Sequence, residues 1–224
     1  REVLALAGGA TVGNPAFING GPMMGKLLHS LDEPVTKTTG GLLALPDDHL
    51  LIRRRRRSDR TEINQARTVC EQCGMCTEFC PRHMIGHELP PHLIVRAVAY
   101  EQISAPSAVA AALTCSECGV CEAWSCPVEI SPMRINQMLK VKLRAAGIRY
   151  EGELRQADPM AQQRMVPIKR LVRRLDLGEF MHRAPMQETL YIPQQVTIPL
   201  RQHIGVPASP TVSVGERVSA GALI

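Results

Sequence analysis

CEQCGMCTEFCP, residues 70 to 81, sets four cysteines at steps of three, three and four residues and closes on proline. CSECGVCEAWSCP, residues 115 to 127, repeats the plan with one more residue ahead of its last cysteine. Three thiolates three residues apart on a tight loop reach three iron corners of a cubane. The fourth, past a short bend, points away toward another cluster. Gly74 and Gly119 stand where such a loop bends closely and leaves backbone N–H groups free for sulfur. Met75 and Val120, one residue on, offer apolar cover.

The first quartet, Cys70, Cys73, Cys76 and Cys80, has the C-x2-C-x2-C-x3-C-P spacing that ligates [4Fe–4S] clusters in bacterial ferredoxins. The second, Cys115, Cys118, Cys121 and Cys126, departs by placing EAWS before the final cysteine, which lengthens the loop without stopping its last thiolate from turning outward. By the exchange known for two-cluster ferredoxins, Cys70, Cys73, Cys76 and Cys126 would hold one cluster, and Cys115, Cys118, Cys121 and Cys80 the other. Structural zinc is the rival reading, since paired CxxC elements also make four-thiolate zinc sites. A third cysteine in series and a following proline, twice over, favour iron–sulfur. His83, His87 and His92 lie near the first run, but eight cysteines already fill two clusters, so each is expected beside a ligand or at the surface. Trp124, the only tryptophan, is expected to pack beside the second cluster.

All eight cysteines fall within 57 of the 224 residues, an arrangement that staples nothing else and argues for ligation over disulfides. The formal charge of +5 suggests a basic protein. Eight thiolates around two cores of charge +2 each would remove about four of those charges and leave about +1. Aromatic residues are 3% of the chain, too few for the stacking platform of a single-stranded nucleic-acid binder, and no nucleic-acid partner is expected. No window approaches eighteen consecutive apolar residues, so no membrane span is expected and the default setting is cytoplasmic. Arg1 opens the chain without an initiator methionine and Ile224 closes it in a strand-like stretch, so both ends are expected to continue in a longer protein.

Outward from the cysteines the chain divides into four parts. Residues 1–52 alternate short apolar pieces with the glycine pairs Gly8-Gly9, Gly20-Gly21 and Gly40-Gly41, the punctuation of a small strand-rich unit. Residues 53–147 open on five arginines, Arg53 to Arg57, read as a solvated hinge, and turn helical from Thr61. PPHLIVRAVAYEQI, residues 90–103, starts with prolines suited to a first helical turn. Ser131 is placed to cap a helix with Pro132 at its first position, Ile135, Leu139 and Leu143 as its apolar stripe and Gly147 as its stop. Residues 148–194 read as a connector with a helix around 168–175, its cations on a solvated face and Pro185 and Pro193 breaking the pattern. From 195 to 224 short alternating segments with glycines read as β. The chain has no Walker loop, no GxGxxG turn and no nucleophile set beside a base, so its own chemistry is expected to be electron transfer alone, with no catalytic residue.

GGPMMG at 20–25, VTKTTGGLLAL at 35–45, the two cysteine runs, VPIKRLVRRLDL at 166–177 and HIGVPASPTVSVGERVSAGALI at 203–224 together resemble the RnfC family of electron transport proteins. In order of parts the chain is most similar to relatives of that family, the cobalamin reductases of propanediol-utilisation microcompartments. That resemblance implies an α+β fold: a soluble-ligand-binding β-grasp unit over 1–52, a mainly α-helical two-cluster ferredoxin domain over 53–147, a helical connector, and the start of a β barrel-sandwich element. It implies FMN and NADH in a missing N-terminal flavin domain, and electrons passed singly toward a corrinoid. Its implied partners are cobalamin, a corrinoid-handling adenosyltransferase or another redox protein, and its implied setting a bacterial microcompartment. GGPMMG itself reads first as a turn with apolar cover, and second as a contact for flavin or corrinoid.

Overall fold

The computed structural model describes residues 1–102, 106–182, 186, 188 and 191–224. Ile103 and Pro185, on which two of the sequence expectations fall, lie outside them. The chain begins with a short helix α1 (Glu2–Leu6) and three strands, β1 (Pro15–Asn19), β2 (Lys26–Leu27) and β3 (Leu42–Pro46). Helices α2 (Leu50–Arg56), α3 (Asp59–Val69), α4 (Met75–Glu78), α5 (Pro81–Met84), α6 (Pro91–Tyr100), α7 (Pro106–Ala110), α8 (Pro132–Ala145) and α9 (Ile168–Arg174) follow. Among the described residues no helix is long and apolar enough to cross a membrane.

The sheet is antiparallel in the order β2-β1-β3, with Ile18 opposite Leu27 on one side and Leu43 on the other. The β1–β2 connection holds GGPMMG, and its last glycine is there for want of space. A Cβ on Gly25 would sit 2.5 Å from the Gly21 carbonyl and 2.5 Å from Ile18 Cγ2. Ile18 and Ile52 are both fully buried and join sheet to α2, and Leu175 and Leu177 from the end of α9 enter the same core. The 148–194 stretch is therefore more than a connector, since its helix completes the core beneath the sheet. Ahead of α9 its backbone is strapped to α5, with the Arg155 N–H donating to Gly86 at 2.8 Å and the Asp158 N–H to Met84 at 2.9 Å.

The second core lies among α3, α6, α8 and the segment 111–114, around Ile94, Ile130 and Ile135. The local signals here act as their chemistry dictates. Ser58 Oγ accepts from Thr61 N at 3.1 Å to start α3, and Ser131 Oγ accepts from Arg134 N at 3.2 Å to start α8, with Pro132 in the first turn. Gly147, at φ +69°, ends α8 with the Ile148 N–H bonded back to Leu143 at 2.9 Å. Of the expected stripe, Ile135 and Leu143 are buried and Leu139 packs at the margin of the core.

Two expectations need correction. The five arginines are not a solvated hinge: four of them are the second half of α2, and only Arg53 stands free in solvent, with no ion pair among the described residues. Arg54 pairs with Glu129 at 2.9 Å, Arg56 with Asp47, and Arg57 reaches Glu62 at 3.8 Å and Glu129 at 3.6 Å. The boundary drawn at residue 52 consequently falls inside a helix. Residues 195–224 form no strand among the described residues; Ile204, Val206, Val214 and Leu223 are more than four-fifths exposed. Alternating sequence makes a strand only where a neighbouring strand takes its backbone bonds, and none is supplied here.

Ile52→Ala removes a fully buried side chain where sheet and helix meet, and should lower unfolding stability by about 2–5 kcal/mol. Anaerobic denaturant titration checks this against Val141→Ala, an exposed site on α8 expected to change little.

Candidate metal centre

The two cysteine loops share one backbone. Cys70 and Cys115 are extended, at ψ 112° and 127°. Two residues on, Gln72 and Glu117 take φ +52° and +57°, and Gly74 and Gly119 take φ +76° and +78°. A left-handed glycine turns the chain so that α4 starts in the first loop and a π turn, Cys121–Ser125, in the second. The extra residue of EAWS is absorbed there. The Cys126 N–H closes on the Cys121 carbonyl five residues back at 3.1 Å, whereas the Cys80 N–H closes on Thr77 only three back at 3.0 Å. Both final cysteines then leave at nearly the same angles, φ −71° and ψ 118° for Cys80, φ −76° and ψ 116° for Cys126.

The consequence is an exchange. One recess is lined by Cys70, Cys73 and Cys76 of the first loop and by Cys126 of the second. The other is lined by Cys115, Cys118 and Cys121 and by Cys80. Cys80, Cys121 and Cys126 are buried and Cys73 is exposed. No three His, Cys, Asp or Glu side chains among the described residues stand close enough to share one metal ion, so each quartet is spread around its recess.

Burial, with the Cys126, Cys73 and Cys70 thiols close by, pushes the Cys76 thiol up to about 12. Burial raises Cys80 to about 11 against the pull of the His83 and Arg82 backbone N–H groups, and the nearby Cys118 and Cys115 raise it further. Cys121 and Cys126 are raised as well, burial being the chief cause in both. Several donors are aimed at sulfur. Gln72 Nε2 donates to Cys70 at 3.1 Å, the Glu117 N–H to Cys115 at 3.4 Å and the Ile130 N–H to Cys126 at 3.2 Å.

The donor set suits a [4Fe–4S] group: four thiols per recess, N–H groups turned to sulfur, and apolar walls. Asn136, 1% exposed, lines the second recess, and its Oδ1 has no hydrogen-bond partner. Turned by 180°, its amide would present N–H to an anion there.

Of the three histidines, His92 lines the first recess. His92 Nδ1 meets Thr77 Oγ1 at 2.7 Å, and burial lowers its pKa below the usual imidazole value. His87 meets Arg82 at 3.2 Å, and His83 is partly buried beside Cys80. Trp124 is half-buried within the π turn. Met75, expected as apolar cover, is instead 37% exposed. Sequence reasoning missed Glu62, which is 1% exposed and accepts from the Ser131 N–H at 3.1 Å, tying α3 to the start of α8. It missed Glu122 too, whose carboxyl is raised chiefly by burial and is bonded to the Ser131 hydroxyl.

Fold and site define a two-cluster iron–sulfur electron carrier, and residues 69–131 match the 4Fe-4S dicluster domain family. Residues 179–224 match the RnfC barrel sandwich hybrid domain. The particular relatives are cobalamin reductase PduS of Citrobacter freundii, 60% identical over 99% of this chain and 49% of that protein, and its counterpart in Salmonella typhimurium, 61% identical over the same shares. The C component of the ion-translocating oxidoreductase complex of Yersinia enterocolitica is 30% identical over 39% of this chain and 11% of its own length. The chain is thus a homologue of the cobalamin reductases along nearly its whole length, and a more distant relative of the RnfC proteins. It spans about half the length of the cobalamin reductases it matches. No solved structure matches it.

Arg57→Gln takes the cation from buried Glu62 and should cost about 1–3 kcal/mol with iron content retained. Arg53→Gln should change nothing, and thermal unfolding of the two variants side by side checks the difference.

Proposed function

We propose that this chain is the iron–sulfur electron-transfer portion of a flavin-dependent NADH:cobalamin reductase. The observation that carries the reading is the pair of recesses, each lined by three cysteines of one run and the last cysteine of the other. In this reading Cys70, Cys73, Cys76 and Cys126 ligate one [4Fe–4S] cluster, and Cys115, Cys118, Cys121 and Cys80 ligate the second. Such clusters, when bound, take up and give out single electrons. NADH releases electrons as a pair and corrinoid cobalt takes them one at a time, so carriers of this kind belong between the two.

The chain's own residues hold and tune. The N–H groups of Glu117 and Ile130 and the Gln72 amide donate to ligating sulfurs, which favours the more negative, reduced state and raises the potential. FMN and NADH sites are assigned to the part of the relatives that this chain does not cover. Residues 1–52 are read as the β-grasp unit, supported by a three-stranded sheet with a helix packed on it, and 195–224 as the opening of the barrel-sandwich element. Cobalamin, or an adenosyltransferase that handles it, is the proposed acceptor, and the cytoplasm or a microcompartment within it the proposed setting. A second reading, a relay protein of Rnf type docking to another redox protein, is favoured by the barrel-sandwich match and by the partial likeness to the C component of the ion-translocating oxidoreductase complex.

Anaerobically purified protein should carry about eight irons and eight acid-labile sulfides per chain. A zinc-filled protein without iron–sulfur absorption would overturn the assignment. Cys80→Ser should damage chiefly the cluster of Cys115, Cys118 and Cys121, whereas loss confined to the cluster of its own run refutes the exchange.

The activity is tested on the full-length protein, flavin- and cluster-loaded, by anaerobic NADH-dependent reduction of cobalamin. Serine at Cys70 or at Cys115 should abolish most of it. Full activity in those variants would assign the clusters to another acceptor. No activity in the intact enzyme would favour the Rnf-type relay.

A further inference from the structure

The two cysteine loops have the same backbone and opposite surroundings. A Cβ built on Gly74 would meet nothing within 4 Å, while one on Gly119 would lie 3.1 Å from the Met23 carbonyl and 3.5 Å from Met23 Cβ. The β1–β2 turn thus rests on the second loop, and nothing stands over Gly74 in the first. Arg55 holds that turn down. Its Nε donates to the Gly25 carbonyl at 2.9 Å and its Nη2 to the Pro22 carbonyl at 2.7 Å, while Nη1 returns to Leu51 in its own helix at 3.2 Å. Three guanidinium nitrogens are spent on carbonyls, two of them in the turn, and among the described residues no carboxylate pairs with Arg55. A half-buried cation placed this way serves position rather than charge pairing. Burial at equivalent positions differs in the same sense, with Cys73 exposed where Cys118 is half-buried and Cys76 half-buried where Cys121 is buried.

We propose that residues 22–25, clamped by Arg55, form a cover specific to the second cluster, so that the first cluster exchanges electrons with outside partners at the face around Cys73 and the second is screened. This rests on the two-cluster reading above. The turn does not line the second recess itself but closes the Gly119 side of its loop, beside an open pocket lined by Met23, Gly25 and Glu117. An oxidant coming from that pocket meets the Met23 backbone first, and two charge-assisted hydrogen bonds oppose the turn's lifting.

The glycines provide a matched pair of variants. Gly119→Ala and Gly74→Ala both place an alanine at φ near +77°, with the same backbone strain, yet only the first also pushes against the cover. Arg55→Gln releases the clamp without touching either loop. The measurement is bleaching of the anaerobically purified, cluster-loaded chain by ferricyanide in the presence of a ferrous chelator, followed by absorbance. Each phase is assigned to its cluster with the Cys73→Ser and Cys118→Ser variants by electron paramagnetic resonance.

In the wild type the first cluster should bleach before the second. Arg55→Gln should speed the second phase by a factor of roughly ten or more, the worth of one lost charge-assisted hydrogen bond, and leave the first unmoved. Gly119→Ala should do likewise and Gly74→Ala should not. Equal bleaching of the two clusters in the wild type, or equal effects of the two glycine variants, would overturn the cover while leaving the clusters in place. Absence of iron from the wild type would instead sink the two-cluster reading itself. Where Arg55→Gln fails to fold, the alanine pair still decides.

Discussion

The structure turns on the exchange of two cysteines. Cys80 and Cys126 each leave their own loop with nearly the same backbone angles, behind which stands a proline that opens a short turn, and each arrives among the cysteines of the other run. That crossing brings the two loops side by side. Helices α3, α6 and α8 then have to close over them, which is why the core among these helices contains Cys80 and Cys126 alongside Ile94, Ile130 and Ile135. Neither recess is complete without the other run. Removing either loop would open both recesses.

A second layer of dependence reaches the N-terminal sheet. Ala123, inside the π turn, sits in the core built from Ile18, Leu45, Ile52 and Leu175, so the one-residue insertion of the second run faces the sheet, and the first run has no counterpart. The near-repeat in sequence becomes an asymmetric pair in space. The arginines of α2 reinforce this. Arg54 and Arg57 reach Glu129 just past the second run, and Arg55 holds the turn that touches Gly119. Charge, packing and backbone insertion all attach the sheet to the same half of the cluster domain.

What was legible in the sequence was what local chemistry decides. A serine cap with proline behind it, a glycine at a helix stop and glycines at φ above +70° in the cysteine loops are choices made within a few residues, and they appear where the sequence put them. The arginine run was misread because most partners of those side chains lie far off in sequence, at Pro22, Gly25 and Glu129, and the nearer ones, Asp47 and Glu62, belong to neighbouring elements. A charge run is a solvated face only until a fold brings carbonyls and carboxylates to it, and no local pattern announces that. Residues 195–224 are legible as barrel-sandwich sequence, which the family match bears out, but no strand forms among them because strand formation needs partner backbone. The cover over the second loop was half legible: GGPMMG reads as a turn with apolar cover, but not as cover for Gly119.

The recesses carry their own argument about what they are built to hold. Eight thiols gathered in and around an apolar core repel the charged state, and burial raises the pKa of Cys76, Cys80, Cys121 and Cys126. Left to themselves these sulfurs favour the neutral thiol. The backbone N–H groups of Arg82, His83, Glu117, Val128 and Ile130 nevertheless point at sulfur, an arrangement of little worth to a thiol, which accepts weakly, and of much worth to a thiolate. The polypeptide thus spends its donors on a charge that its own burial disfavours. Such a design balances only when a cationic core sits between the sulfurs, taking their charge and leaving the N–H groups to set how readily one more electron is accepted.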